Sequence, residues 1–311
     1  MSLAGMVRGR GGPSGFGFGS TAEEVTAGLD LSARRVLVTG VNSGLGLESA
    51  RVLALRGATI LGAARTEAKA RDALAGLAGE GHEPLACELS EPESVLACVE
   101  RARRLGPIDV LLCNAGIMAL PKRETRHGVE LQLFTNHVGH FLLVTGLADR
   151  LTPAGRVVML SSSAHTMAPP EGIRFDDLAY ERGYTPWAAY GQSKLANLLF
   201  ARALAKRLDG ERTANAVHPG VIATNLGRHM GVLRFGSALV SWAFMKDVHE
   251  GAATQCYVAA HPSLDGVTGE YFADVNVARS SSLGRDEALA ERLWQRSIEL
   301  ARELGGAPKI T

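Results

Sequence analysis

The chain has 311 residues, 46% hydrophobic and 21% charged, and its 33 lysines and arginines against 32 aspartates and glutamates leave a net charge of +1. This balance argues against a nucleic-acid-binding protein. The longest apolar runs, Phe141 to Ala148 and Ala238 to Met245, fall well short of the ~18 residues of a membrane span, so no transmembrane segment is expected. The N-terminus lacks the apolar segment of a secretory signal, which predicts a cytoplasmic protein.

Residues 1–30 differ in composition from the remainder. They comprise a Gly-rich stretch, GRGGPSGFGFGS, followed by TAEEVTAGLDL, and show no sustained periodicity. We expect a flexible N-terminal arm here and a single domain over residues 31–311. The four cysteines show no metal-ligand spacing and lie in apolar stretches, so we expect buried thiols and no metal site.

From Arg34 onward, short apolar runs alternate with longer amphipathic runs, a pattern typical of parallel βαβ units. Several of the short runs are almost entirely apolar, so both faces of the sheet should be covered by helices. The sequence predicts an α/β fold, a single doubly wound Rossmann-type domain with a parallel sheet of about seven strands. The predicted strands are Arg35 to Thr39, Ala58 to Ala63, Glu83 to Glu88, Ile108 to Cys113, Arg156 to Ser161, Thr213 to Val217 and Glu270 to Val275.

The first strand leads into the sequence TGVNSGLG, which runs from Thr39 to Gly46. A strand that ends at a glycine and continues as a helix brings bare backbone and a helix N-terminus together, and both favour a bound pyrophosphate. The alternative is a tight turn without a ligand. The predicted cofactor contacts in this loop are Gly40, Asn42, Ser43, Gly44, Leu45 and Gly46.

Tyr190 and Lys194 lie four residues apart in a stretch with a helical apolar stripe, so both side chains should project from one face. A neighbouring ammonium favours the phenolate, and lowering the tyrosine pKa by roughly three units would take about 4 kcal/mol. Such a tyrosine could act in general acid-base catalysis. The alternative is an aromatic ring packed beneath the aliphatic part of a lysine.

The end of the second strand bears on cofactor choice. NAD-specific sites commonly place a carboxylate there, whereas this strand ends in Arg65. An arginine can form two parallel hydrogen bonds with a 2′-phosphate, which predicts NADP(H) over NAD(H). The alternative is a surface arginine paired with Glu67.

Three motifs occur in order: TGxxxGxG after the first strand, Asn114-Ala115-Gly116 after the fourth, and Tyr190-x-x-x-Lys194. Together they resemble the short-chain dehydrogenase/reductase family. SSSAH at 161–165 and HPGV at 218–221 resemble the branch that contains retinol dehydrogenases and the WW-domain oxidoreductase. The resemblance implies an oxidoreductase that transfers a hydride between the nicotinamide and a small-molecule carbonyl or alcohol.

The resemblance also implies residue roles. Ser162 would hydrogen-bond the substrate oxygen, Tyr190 would transfer the proton, and Lys194 would hold the nicotinamide ribose. Asn136 would position a water for proton relay, although it could equally be a polar residue that bends a helix. Strand alternation excludes at least one serine among residues 161–163, and the resemblance favours the middle one.

The remaining cofactor contacts follow later strands. The resemblance places Glu88 and Leu89 at the adenine, and Asn114, Ala115 and Gly116 along the cofactor. Cys113 replaces the usual asparagine, which removes one polar group that ties the backbone there. The nicotinamide half of the cofactor would contact the segment after the sixth strand. The predicted contact residues there are Pro219, Gly220, Val221 and Thr224. The alternative is a turn that only ends the strand.

The segment around residues 226–248 is apolar and corresponds to the family's substrate lid. It favours a lipophilic substrate, with simple core packing or a homo-oligomer contact as alternatives. Two other functions are alternatives to a dehydrogenase. One is a dinucleotide-sensing regulator without catalytic activity, and the other is an epimerase or dehydratase of the extended branch of the family.

Overall fold

The computed structural model describes residues 11–221 and 245–310. The strands of the described chain are β1 (Arg35–Thr39), β2 (Thr59–Ala64), β3 (Glu83–Ala86), β4 (Ile108–Cys113), β5 (Thr125–Arg126), β6 (Val129–Glu130), β7 (Leu151–Leu160), β8 (Thr213–His218), β9 (Tyr271–Ala273) and β10 (Asn276–Val277). They form a central eight-stranded sheet in the order β10-β9-β8-β7-β4-β1-β2-β3, and a separate hairpin of β5 and β6.

Neighbouring strands of the main sheet are parallel except β9 and β10, which pair antiparallel. The predicted α/β fold is confirmed, with eight strands where about seven were predicted. The strand order reverses between β1 and β4, so their carboxyl ends border a crevice. In open α/β sheets, ligands bind at this kind of switch point.

The helices lie on both faces of the sheet. A π-helical turn (Phe134–Val138) separates α5 from α6. The helices are α1 (Ala22–Val25), α2 (Gly44–Leu55), α3 (Glu67–Leu74), α4 (Pro92–Arg104), α5 (Leu131–Leu133), α6 (Gly139–Leu147), α7 (Pro186–Ala205), α8 (Val248–Gly251), α9 (Ala253–Ala260) and α10 (Glu287–Glu303), with 3-10 turns at Ala148–Arg150, Ser163–Met167, Pro262–Leu264 and Leu283–Arg285.

Strand alternation divides the core between the two faces. In β1, Leu37 belongs to the core that includes residues of α4, α6, α7 and α10. Val36 and Val38 belong to the opposite core, which includes residues of α1, α2 and α9. The sheet is therefore buried on both faces, as its nearly continuous apolar strands predict. All four cysteines are buried and free.

The described part of the N-terminal segment, residues 11–30, packs on the domain. Phe16 contacts Tyr257 edge-on with ring centroids 5.9 Å apart, and its carbonyl accepts a hydrogen bond from Asn276 at 3.0 Å. Ala22 and Val25 are buried in the core. This corrects the prediction of a flexible arm for residues 11–30, because a few apolar side chains spaced among the glycines suffice to anchor the segment. Within the described residues, no helix is both long and apolar enough to cross a bilayer.

Candidate active site

The loop between β1 and α2 has the geometry of a phosphate cradle. Gly40 and Gly44 have φ angles of +71° and +54°, which glycine adopts without strain. A Cβ on Gly46 would lie 2.3 Å from the carbonyl oxygen of Gly40. Ser43 caps α2, but its side chain forms no capping hydrogen bond. The loop and the helix N-terminus therefore fit a dinucleotide pyrophosphate.

A cleft of about 460 Å³ extends from this loop along the carboxyl edge of the sheet. Five of its lining residues were not predicted from the sequence, since mostly apolar or small residues at strand ends carry no binding signal. Those five are Ala64, Cys87, Ile117, Thr135 and Leu160. The predicted cofactor residues that line the cleft are Gly40, Asn42, Ser43, Leu45, Arg65, Glu88, Leu89, Asn114, Ala115 and Gly116.

Arg65 lies exposed in the wall of this cleft, directly after β2. Glu67, its expected alternative partner, pairs with Arg71 instead. Across residues 11–221 and 245–310, no carboxylate forms an ion pair with Arg65. Glu88 is half-buried, and its carboxylate accepts a hydrogen bond from the Ser90 hydroxyl at 3.0 Å. Arg65 is therefore available to an anionic ligand.

Asn114 is held by groups that sequence analysis did not identify. Its side-chain amide donates to the carbonyl of Thr39 at 3.0 Å, and its oxygen accepts from Gln255 at 3.3 Å. The Thr39 hydroxyl accepts from the backbone N–H groups of Asn114 at 2.9 Å and Ala115 at 3.0 Å. These bonds fix the backbone even though Cys113 stands where the family has an asparagine.

Tyr190 and Lys194 both project from α7, and both are buried. The ammonium of Lys194 lies 5.7 Å from the centroid of the Tyr190 ring and donates to the carbonyl of Leu160 at 2.9 Å. Its Nζ lies 3.5 Å from the point that a Cβ on Gly116 would occupy. Burial lowers the pKa of Lys194 to about 8. The lysine thus lies between the ends of β7 and β4, beside the cleft.

The pKa of Tyr190 moves in the direction opposite to the one predicted. Burial raises the pKa to about 12, and the nearby Ser162 hydroxyl acts in the lowering direction but is the smaller effect. The ammonium of Lys194, which donates to Leu160, does not offset the burial. Tyr190 is therefore a neutral phenol at neutral pH.

The three serines after β7 occupy different environments. Ser161 is buried and donates to the carbonyl of Lys194 at 2.8 Å, so its hydroxyl holds α7 against the strand. Ser163 is exposed, and its backbone N–H donates to His218. Ser162 lies between them: its hydroxyl accepts from the backbone N–H of Ala164 at 3.2 Å and is near enough to Tyr190 to act on its pKa. The geometry thus separates the middle serine from its neighbours.

Asn136 lies in the π-helical turn between α5 and α6 and is fully buried. Its side-chain oxygen accepts from the backbone N–H of Ile117 at 2.8 Å. Its amide donates to the carbonyl of Ile117 and to the hydroxyl of Ser193, both at 2.9 Å. Ser193 in turn donates to the carbonyl of Tyr190 at 2.7 Å, so Asn136 connects the segment after β4 to α7.

Two histidines near these residues were not predicted as site residues. His165 forms a 2.6 Å hydrogen bond with the carbonyl of Ser162, and its other ring nitrogen accepts from Ser281 at 3.1 Å. The two ring nitrogens of His140 likewise form hydrogen bonds, with the carbonyl of Asn136 and the hydroxyl of Thr39. Their only sequence signal was proximity to a motif, which does not reveal where a side chain points.

The segment after β8 lies at the same edge of the sheet but does not line the cleft. Gly220 has a φ of +94°, and a Cβ there would lie 2.7 Å from the side chain of Lys246. The carbonyl of Val221 accepts from the backbone of Lys246 at 2.8 Å, and Pro219 precedes this turn. Thr224 and residues 226–244 of the predicted lid lie outside the described residues.

The known proteins that are similar to this chain in sequence and in structure agree with one another. A family model described as short chain dehydrogenase matches residues 34–175. The chain is 43% identical to Short-chain dehydrogenase TIC 32 B, chloroplastic, of Brassica napus, over 98% of this chain and 100% of that one. It is 38% identical to Retinol dehydrogenase 14 of Homo sapiens over 85% of each chain. A crystal structure of an uncharacterized protein from Mycobacterium paratuberculosis matches with a TM-score of 0.71 at 34% identity, covering 89% of this chain and 97% of that one.

Proposed function

The chain belongs to the short-chain dehydrogenase/reductase family, whose members use NAD(P), and we propose that it is an NADP(H)-dependent enzyme that interconverts lipophilic carbonyl compounds and alcohols. The observation that carries this proposal is the grouping of Ser162 and Tyr190 beside the buried Lys194. These groups lie next to a cleft that fits a dinucleotide. We further propose that the enzyme acts in the cytoplasm, which imaging of a fluorescent fusion would test.

The residues have complementary tasks at the substrate oxygen. The bound nicotinamide supplies or accepts the hydride. In the reducing direction, the Ser162 hydroxyl hydrogen-bonds the carbonyl oxygen, and the neutral phenol of Tyr190 donates the proton that this oxygen needs. Lys194 keeps N–H groups beyond the one bonded to Leu160, and they can hold a cofactor hydroxyl. Because the phenol of Tyr190 carries its proton at neutral pH, reduction is the direction to assay first.

The proposed preference for NADP(H) is supported by Arg65. This side chain lines the cleft, lies exposed, and has no ion pair with any carboxylate of the described residues. A guanidinium in this position can bind a 2′-phosphate through two charge-assisted hydrogen bonds. NAD(H) offers no such group, so it should bind more weakly.

The proposed lipophilic substrate is supported by exposed apolar side chains that lie close to site residues in the chain. Trp187 is 41% exposed, one helical turn before Tyr190, and its ring meets the Tyr190 ring edge-on at 6.1 Å. Met118, Met167 and Val221 are 40%, 47% and 50% exposed. They follow the ends of β4, β7 and β8, at the carboxyl edge of the sheet. Large apolar groups left in water beside a polar site favour an apolar ligand.

Neither alternative function is favoured. A dinucleotide-sensing regulator would not need Tyr190, Ser162 and Lys194 gathered at the cleft. The full-length similarity is to a protein named as a short-chain dehydrogenase, and it leaves little room for the larger substrate domain of the extended branch.

The proposal is tested by incubating the purified protein with NADPH and a panel of aldehydes, ketones, quinones and retinoids while following the absorbance of the reduced nicotinamide. We expect substrate-dependent oxidation of NADPH that is strongest with apolar carbonyl compounds. Tight NADPH binding without turnover on any carbonyl would contradict the enzymatic proposal and support the sensing alternative.

A further inference from the structure

His140 lies fully buried in α6, one helical turn after Asn136. Its Nδ1 is 2.8 Å from the main-chain carbonyl oxygen of Asn136, and its Nε2 is 2.9 Å from the hydroxyl oxygen of Thr39. One ring therefore connects the π-helical turn to the end of β1. Neither contact is needed to fill the core, because an apolar side chain would occupy the same volume.

The partners of the ring fix its tautomer. A carbonyl oxygen can only accept, so Nδ1 carries the proton and donates it to Asn136. Burial lowers the pKa of His140 to about 4, so the ring is neutral and Nε2 is an acceptor. The Thr39 hydroxyl already accepts from the backbone of Asn114 and Ala115, which leaves its proton to donate to Nε2. Every group in this chain of hydrogen bonds has a partner.

The two ends of this chain reach different parts of the site. Through Thr39, it holds Asn114 and Ala115, which line the cofactor cleft, against the end of β1. At the other end, the side-chain amide of Asn136 is fully engaged with Ile117 and Ser193. The carbonyl of Asn136, which accepts from Nδ1 of His140, is thus the group of this residue whose direction the imidazole ring sets.

We propose that His140 is a positioning residue with two separable tasks: it orients the carbonyl of Asn136 for the proton relay through Nδ1–H, and it orients the Thr39 hydroxyl that supports the cofactor cleft through Nε2. This inference rests on the proposed function, in which Asn136 serves the transfer of the proton.

The two tasks can be separated by substitution. In His140→Asn, the side-chain amide can stand where Nδ1 stands but cannot reach Thr39. In His140→Gln, the amide can reach the position of Nε2 but leaves the carbonyl of Asn136 without its donor. We expect His140→Gln to lower kcat about tenfold with the NADPH Kd changed less than about twofold, since a buried hydrogen bond is worth about this factor. We expect His140→Asn to weaken NADPH binding about tenfold with a smaller effect on kcat.

His137→Gln is the matched control. His137 is also fully buried, but its Nε2 contacts the hydroxyl of Ser297 on α10, away from the cleft. This variant should change the melting temperature and leave kcat and the NADPH Kd close to those of the wild type. Equal losses of kcat and of NADPH affinity in both His140 variants would overturn the proposal, as would the same losses in His137→Gln.

The wild-type protein offers a test that does not depend on how the variants fold. Long-range proton–nitrogen NMR spectra distinguish the two neutral histidine tautomers, and we expect His140 to carry its proton on Nδ1 at neutral pH. A proton on Nε2 would overturn the inference. Failure of the wild type to reduce any carbonyl would contradict the proposed function and with it the relay task, whereas the NADPH titrations of the variants would still decide the task at Thr39.

Discussion

The ammonium nitrogen of Lys194 lies 2.9 Å from the carbonyl oxygen of Leu160, the last residue of β7. Asn197, one turn further along α7, donates to the same oxygen at 3.0 Å. These two bonds fix α7 to the end of the strand that leads into Ser162. The distance between Ser162 and Tyr190 is therefore set by a strand and a helix rather than by a loop, which favours a precise site.

The serine assignment can be tested by single alanine substitutions. Ser162→Ala should lower kcat most, because of the three serines only this hydroxyl is near enough to Tyr190 to act on its pKa. Ser161→Ala should mainly lower stability, by about 1 kcal/mol, since it removes a buried hydrogen bond to Lys194. Ser163→Ala should have little effect on either. Steady-state kinetics and urea unfolding measure both quantities, and a larger loss of kcat at Ser161 or Ser163 would contradict the assignment.

Cofactor preference should depend on Arg65. We expect the wild type to favour NADPH over NADH by at least roughly tenfold, or about 1.4 kcal/mol. Arg65→Ala should weaken NADPH binding and leave NADH binding nearly unchanged, because only NADPH carries the 2′-phosphate. Lys69→Ala is the matched control, since this lysine is exposed nearby but does not line the cleft. Equal Kd values for both cofactors in the wild type would refute the role of Arg65.

The N-terminal segment should contribute to stability. Phe16→Ala removes the contact with Tyr257, and we expect it to lower the free energy of unfolding by about 1–2 kcal/mol and Tm by several degrees. Val277→Ala, at a side chain that is 57% exposed, should change Tm little. Calorimetry would measure the Tm of both variants. An unchanged Tm for Phe16→Ala would mean that residues 11–30 are not anchored to the domain in solution.

Buried histidines should make the protein sensitive to mild acid. Burial lowers the pKa of His137 to about 3 and the pKa values of His140 and His218 to about 4. Between pH 6.5 and about 4, the unfolded chain binds protons that the folded chain does not, so stability falls as the pH falls. Each histidine contributes up to about 1.4 kcal/mol per pH unit. Urea unfolding at several pH values should show a shallower slope for His137→Gln than for the wild type, and an equal slope would contradict burial of a neutral His137.

More of the fold than of the site could be predicted from the sequence. β1 and β4 begin and end at the predicted residues, because apolar strands buried on both faces leave a continuous signal. The antiparallel β10 could not be predicted because a strand of two residues shows no alternation, and the packing of Phe16 could not because it depends on contacts with segments far away in the chain.

Within the site, motif spacing located the glycine loop, Ser162, Tyr190 and Lys194, and the structure brings these together at one edge of the sheet. Spacing could not reveal how deeply Tyr190 is buried, and so the predicted direction of the Tyr190 pKa was wrong. It also could not reveal His140, because a histidine within an apolar helix carries no sign of its two partners.

The central claim is that Tyr190 transfers the proton, and Tyr190→Phe tests it most directly. The variant removes one hydroxyl and keeps the buried ring, so we expect an unchanged Tm and an NADPH Kd within about twofold of the wild type. Turnover on the best carbonyl substrate should fall by ~10² to 10⁴, as expected for the loss of a general acid. A Tyr190→Phe protein that turns over the same substrate at a rate close to the wild type would contradict the mechanism.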